Sequence, residues 1–150
     1  MLRRAILAEQ EIRGFAIVAL ALLPDHLHVV WNLPANDANY STRLRRIKER
    51  FSRSYLAQGG EESERSLSRQ IRGERGVWQR RFWEHTIRDE IDLERCVEYI
   101  HWNPVKHGYV SRPMDYQWST FHQFVARGEY DVLWGTGGVA VPDVPGAEWE

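Results

Sequence analysis

The chain has 150 residues, a formal net charge of −1, 43% hydrophobic residues and a single cysteine. This length predicts one domain that buries its own core without a disulfide or metal staple. One cysteine excludes an intramolecular disulfide and a zinc site built of cysteines, and it fits a reducing cytoplasm. Charges interrupt the N-terminal stretch and the apolar run over residues 15–23 has only strand length, so we expect neither a signal peptide nor a membrane span.

The charges are distributed unevenly along the chain. Residues 41–88 contain 13 Lys and Arg against 6 Asp and Glu, whereas the stretch from residue 128 to the end contains 5 acidic residues and no basic one. Phosphate binding depends on the local field, so a basic middle is compatible with a nucleic-acid partner in spite of the total charge. On charge alone, an ordinary solvated basic face remains the alternative.

The first half of the chain predicts a helix, a β-hairpin and a long helix. Residues 2–13 read as a short helix that ends at Gly14, and residues 15–23 as a strand buried on both faces. After a turn at residues 24–25, residues 26–33 alternate as a second strand that pairs antiparallel with the first. A long helix over residues 41–57 follows. Its core stripe has helical spacing and consists of Leu44, Ile47, Phe51 and Tyr55.

The second half predicts one more strand and two helices. The polar residues 58–75 are expected to form a mobile loop, and residues 77–87 a strand. Asp89 is a plausible N-cap for a helix from residue 90 to about residue 102, which Pro104 and Gly108 end. Residues 116–127 hold a last short helix. We expect one domain over residues 1–134, followed by a disordered acidic tail over residues 135–150.

The resulting order of elements, α-β-β-α-β-α, predicts an α+β fold. Its strands form an antiparallel sheet, and its helices pack on one face of that sheet.

Two histidines stand on either side of one apolar residue at the start of the second strand. Side chains two residues apart in a strand point to the same side, so the imidazoles of His26 and His28 could ligate one metal ion. Leu27 points into the core and leaves both histidines on the open face. Two unrelated strand histidines remain the alternative.

A tyrosine and an asparagine stand four residues apart near the end of the predicted helix over residues 90–102. Tyr99 and Asn103 therefore lie one above the other, at the edge of the buried stripe. A tyrosine there can be half-buried with an accessible hydroxyl. The alternative is a packing tyrosine and an asparagine that caps the helix end before Pro104.

Together the two stretches suggest metal-assisted phosphoryl transfer. Two imidazole nitrogens and one amide oxygen give a mixed site that suits Mg²⁺ or Mn²⁺, which would polarise a scissile phosphate. Tyr99 would attack that phosphate. A phenol with its usual pKa near 10 needs assistance to lose its proton. A tyrosine–phosphate ester conserves bond energy, so a second strand could displace the tyrosine and be joined.

Several ordered stretches resemble the Y1 transposases of the IS200/IS605 type and, within them, the REP-associated tyrosine transposases. They are LLPDHLHVVWNLP, VWQRRFWEHTIRDE, CVEYIHWNPVKHGYV and YQWSTFHQF. The resemblance puts the family's histidine pair on His26 and His28 and its nucleophile on Tyr99. It puts the third metal ligand on Asn103, where many relatives of the insertion-sequence branch carry Gln.

The resemblance implies a ferredoxin-like fold whose central strand carries the histidine–hydrophobic–histidine (HUH) motif. It implies cleavage of single-stranded DNA beside imperfect palindromic hairpins, which leaves a 5′-phosphotyrosine link and a free 3′-hydroxyl, followed by rejoining. A divalent metal and no ATP are expected. A monomer is favoured over a dimer, and we expect a cytoplasmic, nucleoid-associated protein. Relatives usually begin with a strand before the first helix. This chain starts almost at the helix, so we expect the sheet to lack that strand: either the chain is truncated or mis-started, or another segment fills that edge.

Seven basic residues are predicted to contact DNA phosphates, which would make binding depend strongly on salt. They are Arg43, Arg46, Arg50, Arg53, Arg80, Arg81 and Lys106.

Two other functions remain open. One is a catalytically inactive hairpin DNA-binding module. The other is a metal hydrolase, for instance a zinc enzyme, that uses His26 and His28 with His85 or another histidine, and in which Asn103→Ala would spare metal affinity.

Overall fold

The chain alternates a helix, a hairpin and further helices. The computed structural model describes residues 1–79 and 83–136. In these residues five α-helices and two strands follow one another. In chain order they are α1 (Leu2–Ile12), β1 (Ala16–Leu22), β2 (Leu27–Asn32), α2 (Tyr40–Ala57), α3 (Leu67–Ile71), α4 (Glu90–Lys106) and α5 (Phe121–Ala126). They form two compact units. The first contains residues 1–16 and the described residues from 32 to 79; the second contains residues 17–31 and those from 83 to 136.

In the first unit, helix α1 packs against helix α2. Asn39 caps α2, because its side-chain oxygen accepts a hydrogen bond from the backbone N–H of Thr42. Of the predicted core stripe of α2, Ile47 is fully buried, and the ring of Phe51 stacks on that of Tyr55 with centroids 5.6 Å apart. The predicted α2 over residues 41–57 thus differs from the observed helix by one residue.

The predicted mobile loop over residues 58–75 contains defined structure, so that prediction was wrong. Ser66 caps the five-residue helix α3 by accepting from the N–H of Arg69. Glu62 accepts two hydrogen bonds from the Arg75 guanidinium, at 2.8 and 2.9 Å. Both interactions are specific side-chain hydrogen bonds, which a polar composition does not reveal.

In the second unit, β1 and β2 form the antiparallel hairpin that the sequence predicts. The other edge of β1 is paired as well. Ala21 forms an antiparallel bridge with Ser119, and the N–H of Leu22 donates to the carbonyl of Trp118 at 2.8 Å. A segment late in the chain therefore covers this edge of β1. Among the described residues, β1 has a neighbour on both sides, whereas β2 pairs with β1.

Helices α4 and α5 cover this hairpin. Val97 and Ile100 of α4 and Phe124 of α5 form one buried cluster with Ala19 and Ala21 of β1. Small alanines on the strand let the helices approach closely, and the arrangement confirms an α+β fold.

The predicted strand over residues 77–87 is not formed in the portions that the structure describes. Side chains bind that backbone instead of a neighbouring strand. Arg69 donates to the carbonyl of Trp78 at 3.0 Å, and Asp92 accepts from the N–H of Arg88 at 2.9 Å. Residues 80–82 lie outside the described part of the chain, as does the predicted disordered tail from residue 137 onward. No helix within the described ranges is long and apolar enough to span a membrane.

The predicted end of the last long helix was also wrong. Helix α4 does not end at about residue 102. It continues through Pro104 to Lys106, and His107 is its C-cap. Proline removes one helical hydrogen bond but does not prevent the next turn, and here the N–H of His107 still donates to the carbonyl of Asn103 at 3.0 Å. The last turn of α4 therefore carries Lys106 on the helix.

Candidate active site

The hairpin turn holds the two histidines side by side. Its backbone closes when the N–H of Leu23 donates to the carbonyl of His26 at 2.9 Å. His26 immediately precedes β2, and His28 lies within the strand. Their ring centroids are 4.9 Å apart with planes at 81°. This is the same-side arrangement that the sequence predicts for positions two residues apart.

Asp25 orients the first of these rings. The Asp25 carboxylate lies 2.7 Å from His26 Nδ1. A carboxylate only accepts hydrogen bonds, so Nδ1 is the donor in this contact and Nε2 is the ring nitrogen left for another partner. The Nε2 atom is buried and has no hydrogen-bond partner among the described residues. A histidine held in this way by a carboxylate is typical of a metal ligand.

Helix α4 brings the predicted nucleophile to this hairpin. The ring of Tyr99 lies edge-on to that of His28, with centroids 6.0 Å apart. Tyr99 is 4% exposed, so it is more deeply buried than the half-buried tyrosine expected from sequence. Ile87 and Val30 pack around it. The structure thus brings a phenol beside the histidine pair.

Asn103 lies one helical turn beyond Tyr99 and is fully buried. It is inside α4 rather than at its end, which argues against a helix-capping role. Its side-chain Oδ1 and the Nε2 of His28 are buried atoms, like the Nε2 of His26. Two imidazole nitrogens and an amide oxygen suit a divalent ion of the Mg²⁺ or Mn²⁺ type. The donor set therefore fits the metal that the sequence predicted.

Lys106 occupies a position that sequence reasoning did not foresee. It was predicted to contact DNA phosphates, yet its Nζ donates a hydrogen bond of 2.6 Å to the hydroxyl oxygen of Tyr99. Nζ also lies 4.8 Å from the centroid of the Tyr99 ring. The two residues are seven apart, which is two helical turns. A helix that ended before Pro104, as predicted, would not have aligned them.

His107 is a further imidazole near the site. Its ring centroid lies 5.4 Å from that of His26, and it stacks on Tyr109 at 6.0 Å. The sequence around His107 does not predict its contact with the ring of His26, because that contact depends on the helix continuing past Pro104.

A second group of possible metal ligands lies at the start of α4. Ligand atoms of His85, Asp92 and Cys96 all lie within 4.8 Å of one another. His85 Nε2 is 2.8 Å from both oxygens of Asp92, and this hydrogen bond lowers the pKa of Asp92 to about 2. Burial raises the pKa of the Cys96 thiol to about 11, which disfavours the thiolate that a metal needs. The group could hold a metal, but two of its members, His85 and Asp92, are already hydrogen-bonded to each other.

The zinc-hydrolase alternative required His85 to join His26 and His28. Instead His85 is bound to Asp92. In the described ranges, no trio of His, Cys, Asp or Glu that includes His26 or His28 has its ligand atoms within mutual reach.

The predicted DNA-contacting arginines of α2 differ in exposure. Arg43 is 1% exposed, and its guanidinium binds the carboxylate of Asp37 at 2.6 Å, so its burial does not fit a DNA contact. Helical spacing alone did not show that Arg43 faces inward. Arg46 is partly buried, Arg50 is 41% exposed by its side chain, and Arg53 is exposed. Arg80 and Arg81 lie outside the described residues.

Comparisons with known proteins place the chain in a family. No protein-family model matches it. It is 41% identical over 134 residues to a REP-associated tyrosine transposase of Escherichia coli strain K12, covering 89% of this chain and 71% of that protein. It is 45% identical over 121 residues to a Haemophilus influenzae protein assigned to the same group, covering 81% of this chain and 67% of that protein.

A solved structure agrees with these relatives. It shows a REP-associated tyrosine transposase bound to a REP hairpin, with a TM-score of 0.71 and 39% identity, covering 95% of this chain and 78% of that one. The relatives are named transposases, which are DNA-processing enzymes. The chain belongs to the family of REP-associated tyrosine transposases.

Proposed function

We propose that this protein is a metal-dependent single-strand DNA endonuclease and strand transferase. It would cleave and rejoin DNA beside palindromic hairpins of the REP type through a 5′-phosphotyrosine intermediate on Tyr99. One observation carries the proposal: the Tyr99 ring lies 6.0 Å from that of His28, on the helix that also carries Asn103.

In this proposal His26, His28 and Asn103 hold a divalent ion, Mg²⁺ or Mn²⁺. Asp25 fixes the ring of His26 so that Nε2 faces the ion. When bound, the ion would polarise the scissile phosphate and offset the charge that builds up on its oxygens. The burial of these donor atoms keeps competing water away from the ligands.

Tyr99 supplies the nucleophile. Its hydroxyl oxygen forms a bond to phosphorus while the bond from phosphorus to O3′ breaks, and the leaving O3′ keeps the electron pair. The phenol proton is lost to solvent and O3′ gains one, so the step needs no external oxidant, reductant or energy source. Rejoining is the reverse reaction with a 3′-hydroxyl as the attacking group.

The substrate class follows from the solved relative, which is bound to a REP hairpin. Basic residues of α2, chiefly the exposed Arg53 with the partly exposed Arg50 and Arg46, would bind its phosphates, and Arg80 and Arg81 are proposed to contribute. We propose a monomer that acts in the cytoplasm at the nucleoid. These assignments predict that hairpin affinity falls steeply with rising salt.

The central experiment is covalent capture of DNA. A REP-type hairpin with single-stranded flanks is labelled at its 3′ end, since that fragment keeps the 5′-phosphate that joins the tyrosine. With Mn²⁺ the wild type should give a labelled adduct on a denaturing gel, and a chelator should abolish it. Tyr99→Phe should give no adduct but retain hairpin affinity, and Tyr55→Phe serves as the matched control. An adduct that survives Tyr99→Phe excludes this nucleophile.

A second candidate function is a hairpin-binding module without catalysis. It is favoured by the 4% exposure of Tyr99, because a buried phenol must become accessible before it attacks. This candidate predicts salt-dependent hairpin binding with no adduct in any divalent metal, so the same gel separates the two functions.

A further inference from the structure

The contact between Lys106 and Tyr99 has no role in the function proposed so far. Lys106 Nζ donates to the Tyr99 hydroxyl oxygen at 2.6 Å and lies 4.8 Å from the ring centroid. We propose that Lys106 is a positioning residue, which fixes the nucleophilic oxygen and stabilises its negative charge during strand cleavage and rejoining. This inference rests on the proposed function of Tyr99.

The geometry is more specific than folding alone requires. Lys106 is an exposed residue at the last helical position of α4, yet its long side chain reaches back along the helix to one buried oxygen. Ordering a flexible lysine side chain costs rotamer entropy, which largely offsets the gain from a single hydrogen bond. The pairing therefore adds little to stability, which leaves its effect on the phenol oxygen as its consequence.

The position suits both directions of the reaction. In cleavage the Tyr99 oxygen attacks as an anion, and in rejoining the same oxygen leaves as an anion. A fixed ammonium beside that oxygen stabilises its charge in both cases through a charge-assisted hydrogen bond. In cleavage the phenol proton passes to solvent and the O3′ proton comes from solvent, and in rejoining both transfers are reversed. One residue would thus serve both half-reactions.

This role differs measurably from the DNA-phosphate contact that the sequence suggested for Lys106. A phosphate contact acts on substrate affinity, so its loss should weaken hairpin binding and reduce the salt dependence. A positioning role acts on the chemical step, so its loss should slow adduct formation at saturating DNA and leave affinity unchanged.

The test compares three variants. Lys106→Met keeps an unbranched side chain without charge, Lys106→Arg restores the charge, and Lys48→Met removes the chain's other lysine. We expect Lys106→Met to slow single-turnover adduct formation and rejoining by roughly 10²-fold, the effect of losing one electrostatic donor in an active site. We expect its hairpin affinity to stay that of wild type, Lys106→Arg to recover much of the rate, and Lys48→Met to match the wild type.

A metal-free measurement checks the contact itself. In protein labelled with ¹³C-tyrosine, the Tyr99 signal is identified by its absence in Tyr99→Phe. That signal should shift in Lys106→Met and stay in place in Lys48→Met. An unshifted signal would show that the contact is absent in solution and would overturn the inference.

The outcomes separate the two proposals. If the wild type forms no adduct, the proposed function fails and the role of Lys106 fails with it. If the wild type forms the adduct and Lys106→Met does so at the same rate, only the role of Lys106 fails. If Lys106→Met is folded and its slower adduct formation returns to the wild-type rate at saturating DNA, the positioning role is also overturned, in favour of a phosphate contact.

Discussion

Arg43 tests whether burial or helical spacing decides what an arginine of α2 does. Its guanidinium is 1% exposed and donates to the carbonyls of Asn39 at 3.0 Å, Arg13 at 3.3 Å and Gly14 at 3.4 Å, and to the carboxylate of Asp37 at 2.6 Å. We predict that Arg43→Met destabilises the protein, because methionine replaces much of the volume but removes the charged hydrogen bond to the partly exposed Asp37 carboxylate and the one to the Asn39 carbonyl.

The size of the effect follows from these four contacts. The two contacts at 3.3 and 3.4 Å are beyond the usual hydrogen-bond range and contribute little. A neutral hydrogen bond contributes about 1 kcal/mol and one between charged groups about 1.5–3 kcal/mol, so we expect a loss of about 3 kcal/mol in the free energy of unfolding. For a protein of this size the melting temperature falls by roughly 6–12 °C.

Urea denaturation measures this loss, and Arg53→Met is the matched control. Arg53 is an exposed residue on the same helix, so its replacement should change the free energy of unfolding by less than about 0.5 kcal/mol and should weaken hairpin binding instead. If Arg43→Met unfolds at the wild-type urea concentration and weakens hairpin binding as Arg53→Met does, the burial argument is refuted.

Three further predictions concern single side chains. Asp25→Asn should lower the Mn²⁺ affinity of the site by about 10- to 100-fold in calorimetry, because the His26 ring loses its carboxylate partner; unchanged affinity would contradict the orienting role. Burial lowers the pKa of His101 from 6.5 to about 4, so the unfolded chain gains a proton first as pH falls through this window. The free energy of unfolding should drop by on the order of 3 kcal/mol there, and His101→Gln should show no such drop in urea titrations at each pH. The hydrogen bond from His85 holds the pKa of Asp92 at about 2, below its usual 3.8, so its contribution is complete above about pH 4 and is lost as pH falls through 2. Acid unfolding followed by circular dichroism should therefore be less steep in Asp92→Asn, and an equally steep curve would rule out this linkage.

Elements with strong periodicity were predicted closely from sequence. The observed β1, Ala16–Leu22, lies one residue inside the predicted 15–23 at each end, and β2, Leu27–Asn32, lies one residue inside 26–33. Apolar runs between Gly14 and Pro24 define these strands locally. The side-by-side histidines follow from strand geometry alone, because residues two apart share a face whatever packs around them.

The features that sequence did not predict depend on contacts between distant residues. The edge of β1 is paired by residues 118–120, nearly a hundred positions later, and no local pattern marks that pairing. The inward orientation of Arg43 brings its guanidinium to the carboxylate of Asp37, a contact that helical spacing does not reveal. Pro104 was taken as a helix end because proline usually interrupts the hydrogen-bond ladder, and tertiary packing overrode that preference.

Because α4 continues past Pro104, its final two turns form one continuous helical segment. This segment contains Tyr99, Asn103 and Lys106, and the rise of the helix rather than a flexible loop determines their spacing. The three side chains therefore keep their mutual alignment when the helix shifts slightly. What can change is the packing of the helix on the hairpin of β1 and β2. In that packing, Val97 and Ile100 contact Ala19 and Ala21 of β1. The side-chain volume of Val97 and Ile100 at this apolar contact is thereby a way to change the distance between the Tyr99 phenol and the two imidazoles.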